Sequence, residues 1–273
     1  MKTIFVNETN LTVVQQSAPA CVMALGFFDG VHIGHQKVIA VAKAEAQRRG
    51  LPLALMSFRT HPINILSSGQ RKIGNLMTLC TKQEKLAQLG IDLFYLVDFT
   101  KSLANLSPHD FVHHYLLNLG VKHAVAGFDY RYGKMGGGAL LDIPLRANHA
   151  ITVTEVACVH YNGEKISSTA IRGRLQHGLV HEIPHFLGHT YRSKAQLNKQ
   201  QITILEDTML PVPGQYDVML IQNEHQVSVN VHVTSSGNLQ CVQVPTLQGD
   251  MAIEWLTYHP LPQTTTTIQE VYS

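Results

Sequence analysis

Two histidines set apart by two residues, His32-Ile33-Gly34-His35, stand where an apolar run gives way to a helical one. Imidazoles at that spacing can donate to the oxygens of one phosphate chain. The free N–H groups of a helix N-terminus favour the same anion. Gly26 and Gly30, just before them, let the backbone turn tightly and approach a ligand closely. A second group, Ser167-Ser168-Thr169-Ala170-Ile171-Arg172, places hydroxyls at another helix start and a guanidinium about one turn in, which makes a second anion site. A third lies in residues 127–133, where Phe128, Asp129, Tyr130 and Tyr132 sit between Gly127 and Gly133. Aromatics beside a carboxylate and a glycine-rich loop suit a flat ring that carries a phosphate tail. Read as plain structure, the three would be a polar βα loop, a helix cap worth about 1 kcal/mol and a surface hairpin.

The elements that must position these groups follow from periodicity. Residues 20–25 and 51–58 are apolar runs of strand length, with Pro52 at the start of the second, where no ladder hydrogen bond is needed. Between them a helix is expected from about Gly34 to the stop at Gly50. Thr81 is expected to cap a short helix over 82–89, stopped by Gly90; residues 93–97 then form a third strand. Ser107 and Pro108 open another helix that ends at Gly120, and residues 124–127 and 151–156 are further strands. Strand alternating with helix argues an α/β fold with a doubly wound, mostly parallel sheet. The histidines then fall at a strand end and helix start, where open α/β sheets bind ligands. From about Leu187 the period changes. Residues 202–205, 215–221, 227–233 and 239–244 read as strands separated by Pro213-Gly214, Asn223-Glu224 and Ser235-Ser236-Gly237 turns. This predicts a small antiparallel β-barrel domain, so the expected domains are 1–186 and 187–273.

Two letter patterns are misleading. Residues 127–134 depart from a P-loop, because five residues separate Gly127 from Gly133-Lys134 and Met135 stands where the magnesium-binding hydroxyl belongs. His181-Glu182-Ile183-Pro184-His185 spells a zinc-protease motif, but Pro184 breaks the helix that such a site requires.

Composition bounds the partners. The 273 residues are 45% hydrophobic and 15% charged, as expected of a globular chain with a full core. A formal charge of +2 implies no strong field for nucleic acid or membrane. No apolar run reaches bilayer length, and the first residues lack the apolar region of a signal peptide. Cys21, Cys80, Cys158 and Cys241 are scattered, which suggests buried thiols in a reducing cytoplasm.

The longer string from Gly26 to His35, taken with Phe58, His61 and Pro62, with Gly127, Asp129, Tyr130, Tyr132 and Gly133, and with the segment from Ile166 to Arg172, resembles the bacterial FAD synthetase family of nucleotidyltransferases. Members usually carry a riboflavin kinase module as well. The resemblance implies a Rossmann-like first domain that adenylylates FMN with ATP and magnesium to give FAD, in the cytoplasm. It implies catalytic roles for His32, His35 and Arg172. It implies ATP contacts from Gly26, Phe27, Asp29, Gly34, His35, Ser168, Thr169 and Arg172. Flavin contacts would come from Phe58, His61, Pro62, Gly127, Asp129, Tyr130 and Tyr132. It names no protein ligand for the metal. Beyond Gly188 the likeness weakens. The family's kinase module has a glycine-rich opening and a Gly-x-Pro-Thr-Ala-Asn string, whereas residues 189–201 contain no glycine and no such string follows. Leu210-Pro211-Val212-Pro213-Gly214-Gln215-Tyr216 still matches. The expectation is FAD synthesis without riboflavin phosphorylation; the alternatives are a bifunctional enzyme, transfer to another phosphorylated acceptor, or a non-catalytic flavin or nucleotide sensor.

Overall fold

The computed structural model describes residues 1–67, 70–243 and 246–260. Six parallel strands form one sheet: β1 (Lys2–Val6), β2 (Cys21–Leu25), β3 (Leu53–Phe58), β4 (Leu93–Val97), β5 (Val121–Gly127) and a sixth strand, Thr152–Val156. Their order is β1-β4-β3-β2-β5 and then the sixth. The chain steps from β2 through β3 to β4, then returns to lay β5 on the other side of β2. The switch point is therefore between β2 and β5, and ligands bind outside the carboxyl ends of strands at such a point.

Both faces of the sheet are covered, which is why its strands read as unbroken apolar runs. Successive residues of β2 part to opposite faces. Cys21, Met23 and Leu25 join one cluster with Phe111, Tyr115 and Leu116. Val22 and Ala24 join another with Val38, Ile39, Ala42 and Ala46. The last four belong to α2 (Ile33–Arg49), which follows α1 (Leu11–Ser17) and ends on Gly50 at φ 63°. Next come α3 (Pro62–Leu66) and α4 (Leu79–Gln88).

Several expectations need correction. The α4 helix starts three residues earlier than its sequence suggests, because Thr78, not Thr81, is its cap: the Thr78 hydroxyl accepts the Thr81 N–H at 3.2 Å. The edge strand β1 and α1 were missed; β1 buries only Val6 fully and so carries little apolar signal. Cys21 and Cys241 are buried as expected, but Cys80 is exposed and Cys158 half-buried, since neither points into a core. Ser107 does cap the following helix, accepting the Asp110 N–H at 3.1 Å, and Pro108–Phe111 runs on into a π-helical stretch, Val112–Leu117.

By its internal packing the chain divides into two compact units that interleave in sequence. One comprises Met1–Ile171, His185–Gly188 and Asp207–Met209; the other comprises Arg172–Pro184, His189–Glu206 and the described residues from Leu210 onward. The second contains a closed antiparallel barrel with strands Tyr191–Asn198, Gln201–Ile204, Gly214–Gln222, His225–Val233, Leu239–Cys241 and Gly249–His259. Closure removes the unpaired edges that an open sheet would expose. Trp255 is fully buried in it, donating to the Ser193 hydroxyl at 3.1 Å and meeting Tyr216 edge-on. The glycine-free segment that sequence assigns to a lost kinase loop is the first barrel strand, with Tyr191, Ser193, Ala195 and Leu197 inward. Of the four expected inward valines only Val231 and Val233 are fully buried. The last expected strand closes at Cys241; Val244 lies outside the described residues.

Candidate active site

The turn from β2 to α2 is held in an unusual backbone. Phe28 and Val31 adopt positive φ, 52° and 43°, as does Gly30 at 75°. Positive φ is costly for a β-branched residue; it persists only where surroundings over-determine it. Here they do. Phe28 and Val31 are sealed in the core, and both oxygens of the buried Asp29 carboxylate accept the Leu76 N–H, at 3.0 and 3.1 Å. The Ser168 hydroxyl donates to the Asp29 carbonyl at 2.9 Å. Gln36 Nε2 donates to the carbonyls of Val31 and Leu187.

This turn delivers the two histidines side by side. His32, only 6% exposed, is the N-cap of α2: its Nδ1 accepts the His35 N–H at 3.2 Å. The two rings stack with centroids 3.6 Å apart, and Phe28 lies 5.0 Å from His35. A Cβ on Gly34 would stand 3.2 Å from the His32 ring, so the imidazole would have to give by a few tenths of an ångström. His35 Nδ1 is buried without a hydrogen-bond partner among the described residues. Burial first, then His32 and the Lys82 ammonium, push the His35 pKa well below its usual 6.5. The ring is therefore neutral at pH 7.

Both histidines line a cavity of about 720 Å³ at the switch point. Of the residues predicted for ATP and flavin, Gly26, Phe27, Gly34 and Ser168 share its wall with Phe58, His61, Pro62, Gly127, Asp129 and Tyr130. His61 also caps α3, its Nδ1 accepting the Ile63 N–H at 3.2 Å, and its ring meets Phe27 edge-on at 4.7 Å. Tyr132 lines an adjoining cavity of about 580 Å³ that shares Phe58, Pro62, Tyr130 and Arg131 with the first and adds Phe99 and Phe111. Burial raises the Tyr130 and Tyr132 phenols, so both remain uncharged. Three predicted residues do not line either wall. Asp29 faces inward as described. Thr169 and Arg172 lie on the helix Ser168–Gln176, which Ser167 caps by accepting the Ala170 N–H at 3.1 Å; Arg172 counts with the second unit.

Sequence reasoning missed two cationic groups. Lys165, at the end of the hairpin His160–Tyr161/Glu164–Lys165, lines the cavity, pairs with the Asp129 carboxylate and lies 4.7 Å from the Phe128 ring centroid. It directly precedes the recognised Ile166-Ser167-Ser168 string, which was the available signal. Lys82 on α4 is buried, with its Nζ donating to the Phe27 carbonyl at 2.6 Å and the Ser57 hydroxyl at 2.8 Å. Its available signal was the four-residue spacing to Leu86, which puts both on one face of the helix. The zinc-like letters fall on a 3₁₀ turn, Val180–Glu182, followed by a short helix from Pro184. Glu182 pairs with Arg174 at 3.0 Å and His185 stacks on Tyr161 at 4.3 Å.

The FAD synthetase family profile matches residues 14–170, more than half of the chain and all of the strands β2 to β5. The chain belongs to the FAD synthetase family. Among curated FAD synthetase relatives, a protein of Listeria monocytogenes named bifunctional riboflavin kinase/FMN adenylyltransferase is 40% identical over 230 residues, 80% of this chain and 73% of that protein. A Bacillus subtilis protein of the same name is 40% identical over 191 residues, 70% of this chain and 60% of its own length. A second Listeria monocytogenes protein, named FAD synthetase, is 31% identical over 218 residues, 78% of this chain and 88% of that protein. The crystal structure of a macrolide-efflux protein from Streptococcus pneumoniae has a TM-score of 0.82 over 98% of this chain and 94% of its own; at 23% identity the likeness is one of fold alone.

Proposed function

We propose that this protein transfers the adenylyl group of ATP to the phosphate of FMN, forming FAD and releasing pyrophosphate. The observation that carries the reading is the stacked His32–His35 pair at the start of α2, in a cavity that shares Phe58, Pro62, Tyr130 and Arg131 with a second, aromatic one. The first has donors for a triphosphate and the second has faces for a flavin ring. The FMN phosphate attacks the α-phosphorus, so no protein nucleophile is needed. Catalysis is positioning and charge stabilisation. His32, with Nδ1 held by a backbone N–H, is assigned to the phosphate oxygens. His35 and the N–H groups of α2 complete that cradle. Ser168, Thr169 and Arg172 on the second helix start are assigned to the β- and γ-phosphates. Phe58, His61, Pro62, Gly127, Asp129, Tyr130 and Tyr132 are assigned to FMN.

Magnesium enters with ATP as part of the substrate. Among the described residues no group of three His, Cys, Asp or Glu side chains could hold an ion. Magnesium would bridge the phosphates and keep several of its waters, so few protein ligands are needed. No described helix is long and apolar enough to cross a membrane. The proposed division of labour is residues 1–186 for adenylyl transfer and 187–273 as a riboflavin-kinase-like barrel without kinase activity. That last point rests on the segment 189–201, which supplies a packed barrel strand and no glycine cradle. The deciding experiment incubates the full chain with ATP, magnesium and either FMN or riboflavin and resolves the flavins by chromatography. FAD should appear from FMN; its absence would sink the reading, and FMN formed from riboflavin at a comparable rate would sink its second half.

A further inference from the structure

The buried ammonium of Lys82 has no role in the reaction as described above, because it does not reach the cavity wall. It is 6% exposed, on the face of α4 that also buries Leu86. A core position on that face has no need of a charge, and a well-packed apolar side chain there would commonly be neutral or stabilising. Both of its hydrogen bonds go to the crevice end of the sheet. One reaches the Phe27 carbonyl, two residues past the end of β2; the other reaches Ser57, in the last turn of the pleat of β3. Ser57 Oγ itself donates to the Phe27 carbonyl at 2.6 Å, which closes a three-membered ring of bonds. The ammonium also lies 5.0 Å from the Phe27 ring centroid. Downstream of Phe27 the backbone enters the positive-φ stretch that ends on His32.

We propose that Lys82 is a positioning residue for the histidine turn: its ammonium ties the Phe27 carbonyl to Ser57 and so fixes where the strained segment from Phe28 to Val31 delivers His32 and His35. Without the tether the turn can relax at Phe27, upstream of the pins that Ser168 and the Leu76 N–H place on Asp29. Charge-assisted bonds are about twice as strong as neutral ones, so a neutral side chain of similar length cannot replace this hold. Burial lowers the Lys82 pKa to about 8, and the Asp29 carboxylate partly offsets this by favouring the charged form. The ammonium is thus retained at neutral pH.

The inference rests on the adenylyl-transfer reading for its kinetic test and is independent of it for a second. Lys82→Met removes the charge and keeps the apolar stem. In the full chain kcat for FAD formation should fall about a hundredfold with the KM values for ATP and FMN within about threefold, as expected when atoms are misplaced in the transition state rather than lost from binding. Ser57→Ala, which leaves the charge in place, should show the same split at smaller size. In the absence of substrate, amide hydrogen exchange in residues 28–32 should accelerate in both variants while exchange in the barrel does not. A folded Lys82→Met with wild-type kcat overturns the inference. If Lys82→Met does not fold, a Ser57→Ala protein with unchanged kcat and unchanged exchange overturns it as well. If the wild type makes no FAD, the adenylyl-transfer reading fails and the exchange measurement alone decides: unchanged protection of 28–32 in Lys82→Met ends the proposal.

Discussion

His32 does two things at once, and they separate by substitution. As N-cap it satisfies an otherwise orphaned N–H of α2; as an imidazole it faces the cavity. His32→Ala should cost about 1 kcal/mol of stability from the lost cap. His32→Asn keeps a capping oxygen and should recover most of that in thermal melts. Both should lose roughly a hundred- to a thousandfold in kcat, the usual toll of removing one donor to developing charge. An Asn variant that regains activity along with stability would reduce His32 to a cap. For His35 the signature lies in pH. Its folded-state pKa is held well below the unfolded value of about 6.5, so below 6.5 the unfolded chain binds more protons and stability falls as pH drops. His35→Gln should flatten this acid limb in urea melts compared at about pH 5 and about pH 7. It should not abolish it, because His123, lowered by burial and by Arg49, contributes in the same direction. That the two histidines and Ser168 share one cavity wall was legible because their chemistry is written in residue type and short spacing; the places of Thr169 and Arg172, which line neither cavity, were not. Lys82 was not, since a lysine in a helix reads as solvated and its partners, Phe27 and Ser57, are distant in sequence.

At the level of elements, α2 is built around a conflict. Glycine in a first helical turn is a poor helix former, by about 1 kcal/mol relative to alanine, yet Gly34 clears the space into which the His32 ring folds back. Gly34→Ala should therefore leave the melting temperature unchanged or raised while lowering kcat, because the added methyl displaces a ring fixed by a hydrogen bond on one side and by His35 on the other. A variant both more stable and fully active would show that the His32 position is not critical. The same logic explains which elements could be read in advance. The strands β2 to β5 are buried on both faces and therefore appear as apolar runs, with Leu93–Val97 foreseen to the residue. The edge strand β1 and the barrel strand Tyr191–Asn198 have polar residues on one side. In the second case Ser193 and Ala195 stand at inward positions, so alternation was hidden by inward residues that are small or polar. Ser193 is there because the Trp255 indole needs an acceptor, a tertiary reason that no local window contains.

For the molecule as a whole, the parallel sheet followed from strands alternating with helices and the barrel from the change of period near Leu187, whereas the interleaving of the two compact units did not. Interleaving depends on short returns such as Asp207–Met209, where the Met209 N–H reaches the Asn75 carbonyl at 2.8 Å, a contact between residues distant in sequence. The prediction at this scale is a single-activity enzyme: with riboflavin and ATP the full chain should yield no FMN over a period in which FMN and ATP yield FAD, as followed by time-resolved chromatography. Phosphoryl transfer would need a second phosphate cradle with its own metal, and the first barrel strand offers inward Tyr191 and Leu197 in its place. The interior of that barrel has one more property. Trp255 is the chain's single tryptophan, wholly enclosed and hydrogen-bonded through its indole N–H. The protein thus carries an intrinsic fluorophore confined to one of its two units. Its emission reports on the barrel, while far-ultraviolet circular dichroism is weighted toward helices that lie mainly in the other unit, so comparing the two melting curves tests without any label whether the two cores unfold together.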